Sequence, residues 1–257
     1  MSRRAFTLME LLIVIAVTGI VIAMAMPALG RARFVSKRAL CLNHARELSR
    51  SHFLYVYEQK DLVWYKGWKI TEPTLQLPVC IWAVPLGPYG NIDKVRQCPE
   101  AGGNEVPTLV GSATSPWNQR YRPEGAQSDT TVSGAYAFNG WLYGDPREGL
   151  PPNTLLASQD GHTNTLKWVW NTVNAPAFVD GLWSEALPMT SDQTTFDPKA
   201  GPTDPKNQMS RVNIPRHRKT VNVAYFDMHA ENIPLQSLWT LPWKPNWKAP
   251  IPLPTIR

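Results

Sequence analysis

An apolar run near the N-terminus is the feature that most constrains this chain. Between Phe6 and Met26 the sequence has one charged residue, Glu10, among Leu, Ile, Val, Ala, Met, Phe, Thr and Gly. A helix needs about 20 mostly apolar residues to cross the hydrocarbon core of a bilayer. The run therefore predicts one membrane-crossing helix. Basic residues lie on both sides of it: Arg3, Arg4, Arg31, Arg33, Lys37 and Arg38.

Three interpretations of this run compete, and Glu10 separates them. A secretory signal peptide would explain the basic start and the small residues Ala23 and Ala25, but its apolar region usually has only about 7–15 residues. An ordinary membrane anchor explains the length and not the glutamate, because a carboxylate inside a bilayer costs roughly 2–3 kcal/mol or more. A helix that is cleaved between Ala5 and Phe6 explains both the length and the glutamate.

Cleavage before Phe6 would give that residue a free positive amino group, one helical turn before Glu10. In an assembly of such helices, the amine of one subunit can pair with the Glu10 carboxylate of its neighbour. A charge pair in an apolar environment can fix the register between subunits. We therefore predict that Glu10 is an assembly residue.

The segment Phe6-Thr-Leu-Met-Glu10-Leu-Leu-Ile-Val-Ile-Ala, preceded by two arginines, closely resembles the cleavage and methylation signal of type IV pilins and type II secretion pseudopilins. The resemblance implies that a prepilin peptidase cuts between Ala5 and Phe6 and methylates the new N-terminus. Ala5 stands where the family usually has Gly. Pro27 falls where family helices have their proline, and we expect the helix to bend there.

The same resemblance implies a location and partners. It describes a bacterial protein held in the inner membrane by a single helix, with the C-terminal domain in the periplasm or on the cell surface. The implied partners are the prepilin peptidase, other pilin or pseudopilin subunits, the assembly platform and the lipid bilayer.

The net charge of +6 favours contact with anionic headgroups near the apolar run. No basic stripe with interleaved aromatic residues supports binding of nucleic acid.

Beyond the apolar run, the sequence predicts an α+β protein in which a long N-terminal helix packs on a loop-rich, mainly antiparallel β domain. The 24 prolines favour loops and turns. Apolar residues typical of an amphipathic helix recur at Ala32, Val35, Ala39, Leu42, Ala45 and Leu48. The predicted segments are a leader at 1–5, a transmembrane and assembly helix at 6–27, an amphipathic helix at 28–60, and an exported β-rich domain at 61–257 with loops at 101–131 and 189–207.

Short β-prone runs bounded by turn residues predict strands at 64–70, 79–84, 95–98, 166–170 and 177–183, and ordered structure at 134–143. The clearest signal is a hairpin in which residues 220–226 alternate, Asp227 and Met228 form a tight turn, and residues 229–234 return. Such a turn prefers glycine at its second position. Met228 should therefore cost about 1 kcal/mol if its φ is positive.

The C-terminal region resembles a class of bacterial prepilin-type proteins that carry a His, nine residues, and then Asp-Gly-His. His217, Asp227 and His229 match this pattern, with Met228 in place of the glycine. We expect His217 and Asp227 to make structural hydrogen bonds that fix the hairpin. The three residues are not expected to form one site, because nine residues of strand span about 30 Å. A metal site there would need a further ligand, such as Asp180 or Asp192.

The chain has three cysteines, so an oxidising compartment would allow at most one disulfide. The second resemblance implies a disulfide between Cys41 and Cys98, and Cys80–Cys98 is the rival pairing. The sequence has no Cys-x-x-Cys spacing, which is the pattern that would indicate a zinc site. Pseudopilins sometimes hold calcium in a C-terminal loop, which makes Asp192 and Asp197 the candidate calcium ligands. Otherwise we expect no metal and no cofactor.

No sequence motif indicates catalysis, since the chain lacks a Gly-rich phosphate loop, Gly-x-Ser-x-Gly and His-Glu-x-x-His. We therefore expect a structural subunit of a pilus-like filament or of a secretion pseudopilus, and not an enzyme. The alternative is a membrane-tethered module that stacks surface polysaccharide on Trp239, Trp243 and Trp247. Packing of these side chains against the domain is the competing interpretation, because a proline-rich tail needs an anchor.

Overall fold

The computed structural model of the chain describes residues 8–63, 82–102, 110–121, 130–143, 169, 173–192 and 207–253. Two compact units divide between Ala39 and Leu40. This division lies inside the amphipathic segment predicted at 28–60. The described α-helices are α1 (Leu8–Gln59), α2 (Ala83–Leu86) and α3 (Ile92–Val95).

The described strands form two sheets. In chain order they are β1 (Trp117–Tyr121), β2 (Thr130–Gly134), β3 (Tyr136–Asn139), β4 (Pro176–Asp180), β5 (Glu185–Ala186), β6 (Thr220–Tyr225) and β7 (Ala230–Pro234). Strands β1 and β2 pair with each other, and the remaining strands form a sheet of order β5-β3-β4-β6-β7. All neighbouring pairs are antiparallel except β3 and β5, which are parallel. The predicted α+β class, with a long apolar N-terminal helix and a β domain, is confirmed.

The second half of α1 packs on the five-stranded sheet through one buried face. That face contains Cys41, Ala45, Leu48, His52 and Val56 at intervals of three or four residues, which places them in one row along a helix. The sequence predicted Ala45 and Leu48 on this face and missed Cys41, His52 and Val56.

The imidazole of His52 is the centre of the contact between α1 and the sheet. It meets the rings of Phe138, Phe178 and Phe226 edge-on, with centroid distances of 5.0, 6.3 and 5.5 Å. Such edge-to-face arrangements are favourable for aromatic rings. Burial lowers the pKa of His52 to about 3, so the side chain is neutral and behaves as part of the apolar core.

The predicted apolar face is exposed before residue 40. Ala32, Val35 and Ala39 match the helical spacing, but all three are exposed, with Val35 at 63%. The apolar spacing therefore predicts the helix correctly, but it does not indicate the residue at which the helix becomes buried against the domain.

Two predicted strands are helical in the structure. Residues 83–84 belong to α2, where Pro85 occupies the first turn, a position at which its missing N–H is not needed. Val95 ends α3, whose buried residues Ile92 and Val95 are spaced as on a helix. The predicted runs at 64–70 and 166–170 lie outside the described residues, apart from Val169. The run at 177–183 contains most of β4.

The predicted loop at 101–131 was wrong in its second part, because β1 and the start of β2 lie there. Trp117 anchors β1: its side chain is fully buried, and its indole N–H donates to the carbonyl of Tyr136 over 3.1 Å. Few apolar residues alternate in this stretch, which explains why no strand was predicted. The loop predicted at 189–207 lies mostly outside the described residues.

The C-terminal hairpin between β6 and β7 is confirmed, with a longer turn than predicted. Met228 N–H donates to the carbonyl of Tyr225 over 3.0 Å, and Tyr225 N–H donates to the carbonyl of His229 over 2.9 Å. Phe226, Asp227 and Met228 therefore form a three-residue connection. Met228 has a φ of 73°, which is the condition under which a side chain at this position was expected to cost free energy.

Replacement of Met228 by glycine should raise the free energy of unfolding by about 0.5–1 kcal/mol, because glycine reaches positive φ without steric strain. Urea denaturation of the full-length chain in detergent measures this change. Met228→Ala removes most of the same side chain but keeps its Cβ, so it should bring no gain. Equal stabilisation by Gly and Ala would contradict the explanation by backbone strain.

Candidate functional site

The first functional feature is the apolar beginning of α1. Its large apolar side chains from Leu8 to Met26 are each more than half exposed. An 18-residue window of this helix has a mean hydropathy of 2.6, and none of it is buried. By length and composition, the helix can cross a membrane.

Glu10 lies in the first turn of α1 and is exposed. A carboxylate is favoured there by the partial positive charge at a helix N-terminus. Ala5 and Phe6, the predicted cleavage site, lie outside the described residues. Pro27 lies inside α1, and the bend expected there stays a prediction.

The second feature is a buried disulfide that ties α1 to the domain. Cys41 of α1 and Cys98 are joined, with Cα atoms 5.0 Å apart and a sequence separation of 57. This is the pairing that the second resemblance implies. Tyr136 of β3 reinforces the link, because its hydroxyl donates to the carbonyl of Cys41 over 2.7 Å. Burial and the charge of Asp180 raise the pKa of Tyr136 well above its ordinary value, which keeps this donor protonated.

Asp180, the last residue of β4, is the centre of a polar cluster beside the disulfide. Its Oδ2 accepts the backbone N–H of Asn222 at 2.7 Å and lies 3.2 Å from Nε2 of His217. The same imidazole nitrogen is 3.8 Å from Sγ of Cys98. The Asp180 and His217 side chains are fully buried, so the cluster is shielded from water.

Arg216 balances the charge of Asp180, with Nη1 3.7 Å from Oδ1. Burial lowers the pKa of the guanidinium, and the Asp180 carboxylate opposes that shift. An uncompensated buried charge would cost several kcal/mol, so the two side chains depend on each other. The guanidinium also donates to the backbone carbonyls of Ser112, Ala113, Ala135 and Gly181.

The three residues of the His-x9-Asp pattern lie in two places. Within the described chain, His217 contacts Asp180 and Cys98, whereas Asp227 and His229 pair at the hairpin turn with an Oδ1–Nδ1 distance of 2.5 Å. The ring of His229 stacks on Tyr225 at a centroid distance of 4.1 Å. His217 and the Asp227–His229 pair thus have different partners, and Asp227 accepts local hydrogen bonds from the backbone and the ring of His229.

Asp192, one of the two candidate calcium ligands, holds backbone in place. Its Oδ2 accepts the N–H groups of Met189 and Met209, each over 2.9 Å. These bonds link Met189, the first residue of the loop predicted at 189–207, to Met209, two residues beyond its end. Asp197, the other candidate, lies outside the described residues.

The tryptophans of the C-terminal tail pack inward. Trp239 and Trp243 are fully buried. The indole of Trp243 donates to Leu238 over 2.7 Å, that of Trp247 donates to Trp239 over 3.0 Å, and the carbonyl of Trp243 accepts from Asn139 over 2.9 Å. The rings of Trp239 and Trp243 are buried and cannot stack on sugars, and Trp247 is partly buried against the core, so these contacts support the packing interpretation.

The N-terminal segment is the part of the chain that is similar to a known protein family. Residues 1–26 match the family model of the prokaryotic N-terminal methylation motif. No curated protein and no solved structure matches the chain significantly. The matched segment includes Ala5, Phe6 and Glu10. Together with the exposed apolar helix, it indicates a pilin-type, processed, membrane-anchored bacterial protein.

Sequence reasoning named His217 and Asp180 of the polar cluster and missed Tyr136 and Arg216. Asp180 carries a weak signal, because an acidic residue ends the apolar run of β4. Tyr136 and Arg216 carry none, because their partners lie far away in sequence and are brought near only by strand pairing.

Replacement of both Cys41 and Cys98 by alanine should lower the free energy of unfolding by about 4 kcal/mol, because the disulfide closes a long loop in the unfolded chain. Urea denaturation of the oxidised full-length protein measures the loss. Free-thiol titration should find one thiol in the wild type and none in Cys80→Ala. A double variant as stable as the wild type, or a thiol that persists in Cys80→Ala, would contradict the assignment.

Proposed function

We propose that this chain is a structural, non-catalytic subunit of a type IV pilus-like filament or of a type II secretion pseudopilus. The observation that carries the proposal is the methylation motif at residues 1–26, in which Glu10 is the only charged residue of the apolar run from Phe6 to Met26.

Processing is the first step of the proposed function. A prepilin peptidase cuts between Ala5 and Phe6 and methylates the amino group of Phe6. The cut removes the basic residues of the leader and leaves one positive charge at the start of the helix. That amine and the carboxylate of Glu10 are then the only charges in the first turns.

Assembly is the second step. Apolar side chains that leave the bilayer for a filament core stay out of water, so the move costs little hydrophobic free energy and is favoured by packing between helices. The amine of Phe6 pairs with Glu10 of a neighbouring subunit. This pairing sets the register, because any other alignment leaves both charges uncompensated in an apolar environment.

The domain from Leu40 onward is the exported part in this proposal. Its disulfide suits an oxidising compartment, such as the periplasm or the cell surface. The helix stays in the inner membrane until assembly, and the assembly platform and other pilin-type subunits are the partners.

Replacement of Glu10 by Gln or Ala should leave membrane insertion intact and reduce assembly by more than about 100-fold, because a charge pair in an apolar site is worth roughly 3 kcal/mol or more. Membrane fractionation measures insertion, and chemical cross-linking between copies in the native cell measures assembly. Thr18→Ala is the matched control, because its hydroxyl bonds to the carbonyls of Val14 and Ile15 in its own helix.

Normal cross-linking of Glu10→Gln would contradict the charge-pairing mechanism. Loss of this variant from the membrane fraction would contradict it as well, since Glu10 would then act in insertion. Loss of assembly in Thr18→Ala would show that the assay responds to any change in this helix.

A further inference from the structure

The polar cluster beside the disulfide brings three metal-binding side chains together and places a fourth, Asp180, next to one of them. Sγ of Cys41, Sγ of Cys98 and Nε2 of His217 all lie within 4.8 Å of one another. Nε2 of His217 is 3.8 Å from Sγ of Cys98 and 3.2 Å from Oδ2 of Asp180. These residues come from α1, the segment after α3, the segment before β6 and the end of β4.

Two sulfurs, one imidazole nitrogen and one carboxylate oxygen form a ligand set that Zn²⁺ accepts in tetrahedral geometry. With Zn–S distances of about 2.3 Å and Zn–N or Zn–O distances of about 2.0–2.2 Å, neighbouring ligand atoms of such a site lie roughly 3.3–3.8 Å apart. The distances from His217 to Cys98 and Asp180 fall close to this range. The covalent bond between the two sulfurs is the feature that prevents the same atoms from holding an ion.

Reduction of that bond leaves a set of charges that zinc can balance. A dithiol reductant becomes a disulfide and delivers two electrons and two protons, so that Cys41 and Cys98 become thiols. Zn²⁺ then displaces the two thiol protons to solvent, and two thiolates neutralise its charge. Asp180 keeps Arg216 as its counter-ion, so the buried cluster is neutral with the disulfide and with the metal.

We propose that the reduced chain binds one Zn²⁺ through Cys41, Cys98, His217 and Asp180. The metal then joins α1 to the same part of the domain as the disulfide does. The domain thus has two alternative cross-links at one place, a disulfide in an oxidising compartment and zinc where thiols stay reduced. This proposal is independent of the function proposed for the N-terminal helix.

The test uses the full-length chain in detergent, either oxidised or reduced with dithiothreitol that is removed by anaerobic desalting. Co²⁺ is the first probe, because a tetrahedral thiolate site gives visible ligand-field bands and near-ultraviolet sulfur-to-metal charge transfer. We expect one equivalent of Co²⁺ per reduced chain, displacement by Zn²⁺, and a higher urea midpoint for the reduced protein with zinc. The oxidised chain should bind neither metal at this site.

Variants identify the ligands. Cys41→Ser and His217→Ala should weaken Co²⁺ binding to the reduced chain by about 100-fold or more, since each removes a direct ligand. His229→Ala and Cys80→Ser are the matched controls and should bind as the wild type does. Oxidised His217→Ala should retain the circular dichroism of the wild type, which separates loss of a ligand from loss of the fold.

If the reduced wild type unfolds without metal, Zn²⁺ should restore its circular dichroism, and it should not restore that of reduced His217→Ala. Absence of a thiolate–metal band in the reduced wild type would overturn the proposal. An unchanged spectrum and affinity in His217→Ala would also overturn it.

Discussion

The apolar side chains at the start of α1 need an environment that the described part of a single chain does not supply. From Leu8 to Met26 they are more than half exposed, and transfer of each Å² into an apolar medium is favourable by about 25 cal/mol. A bilayer or the helices of other copies can cover this surface. Both are apolar, so Glu10 is tolerated only if a positive group reaches it. In the function proposed above, the amine that cleavage leaves on Phe6 supplies that positive group.

The domain depends on a different set of contacts around the second half of the same helix. His52 packs among three phenylalanine rings, the Cys41–Cys98 disulfide closes a long loop, and Tyr136 bonds to the backbone of Cys41. Beside them, Asp180 and Arg216 compensate each other out of contact with water. These contacts are independent of the exposed apolar face before residue 40. The domain can thus keep its structure whatever covers that face.

The features that the sequence predicted are those encoded by neighbours along the chain. Helix α1 follows from apolar spacing, and the β6–β7 hairpin follows from alternation around a turn. Helices α2 and α3 were missed because four residues are too few to show a helical period. The cluster of Asp180, Arg216 and His217 needs the pairing of β4 with β6, which are distant in sequence, so no local pattern encodes it. The disulfide was implied by resemblance and not by spacing.

The N-terminus of the chain purified from its native membrane tests the central claim most directly. Mass spectrometry of its N-terminal peptide should find a chain that begins at Phe6 and carries a methylated amino group. A chain that keeps residues 1–5 would contradict the account, because the positive partner of Glu10 would be missing. A chain that begins after Ala25 would contradict it too, because the segment would then be a secretory signal peptide.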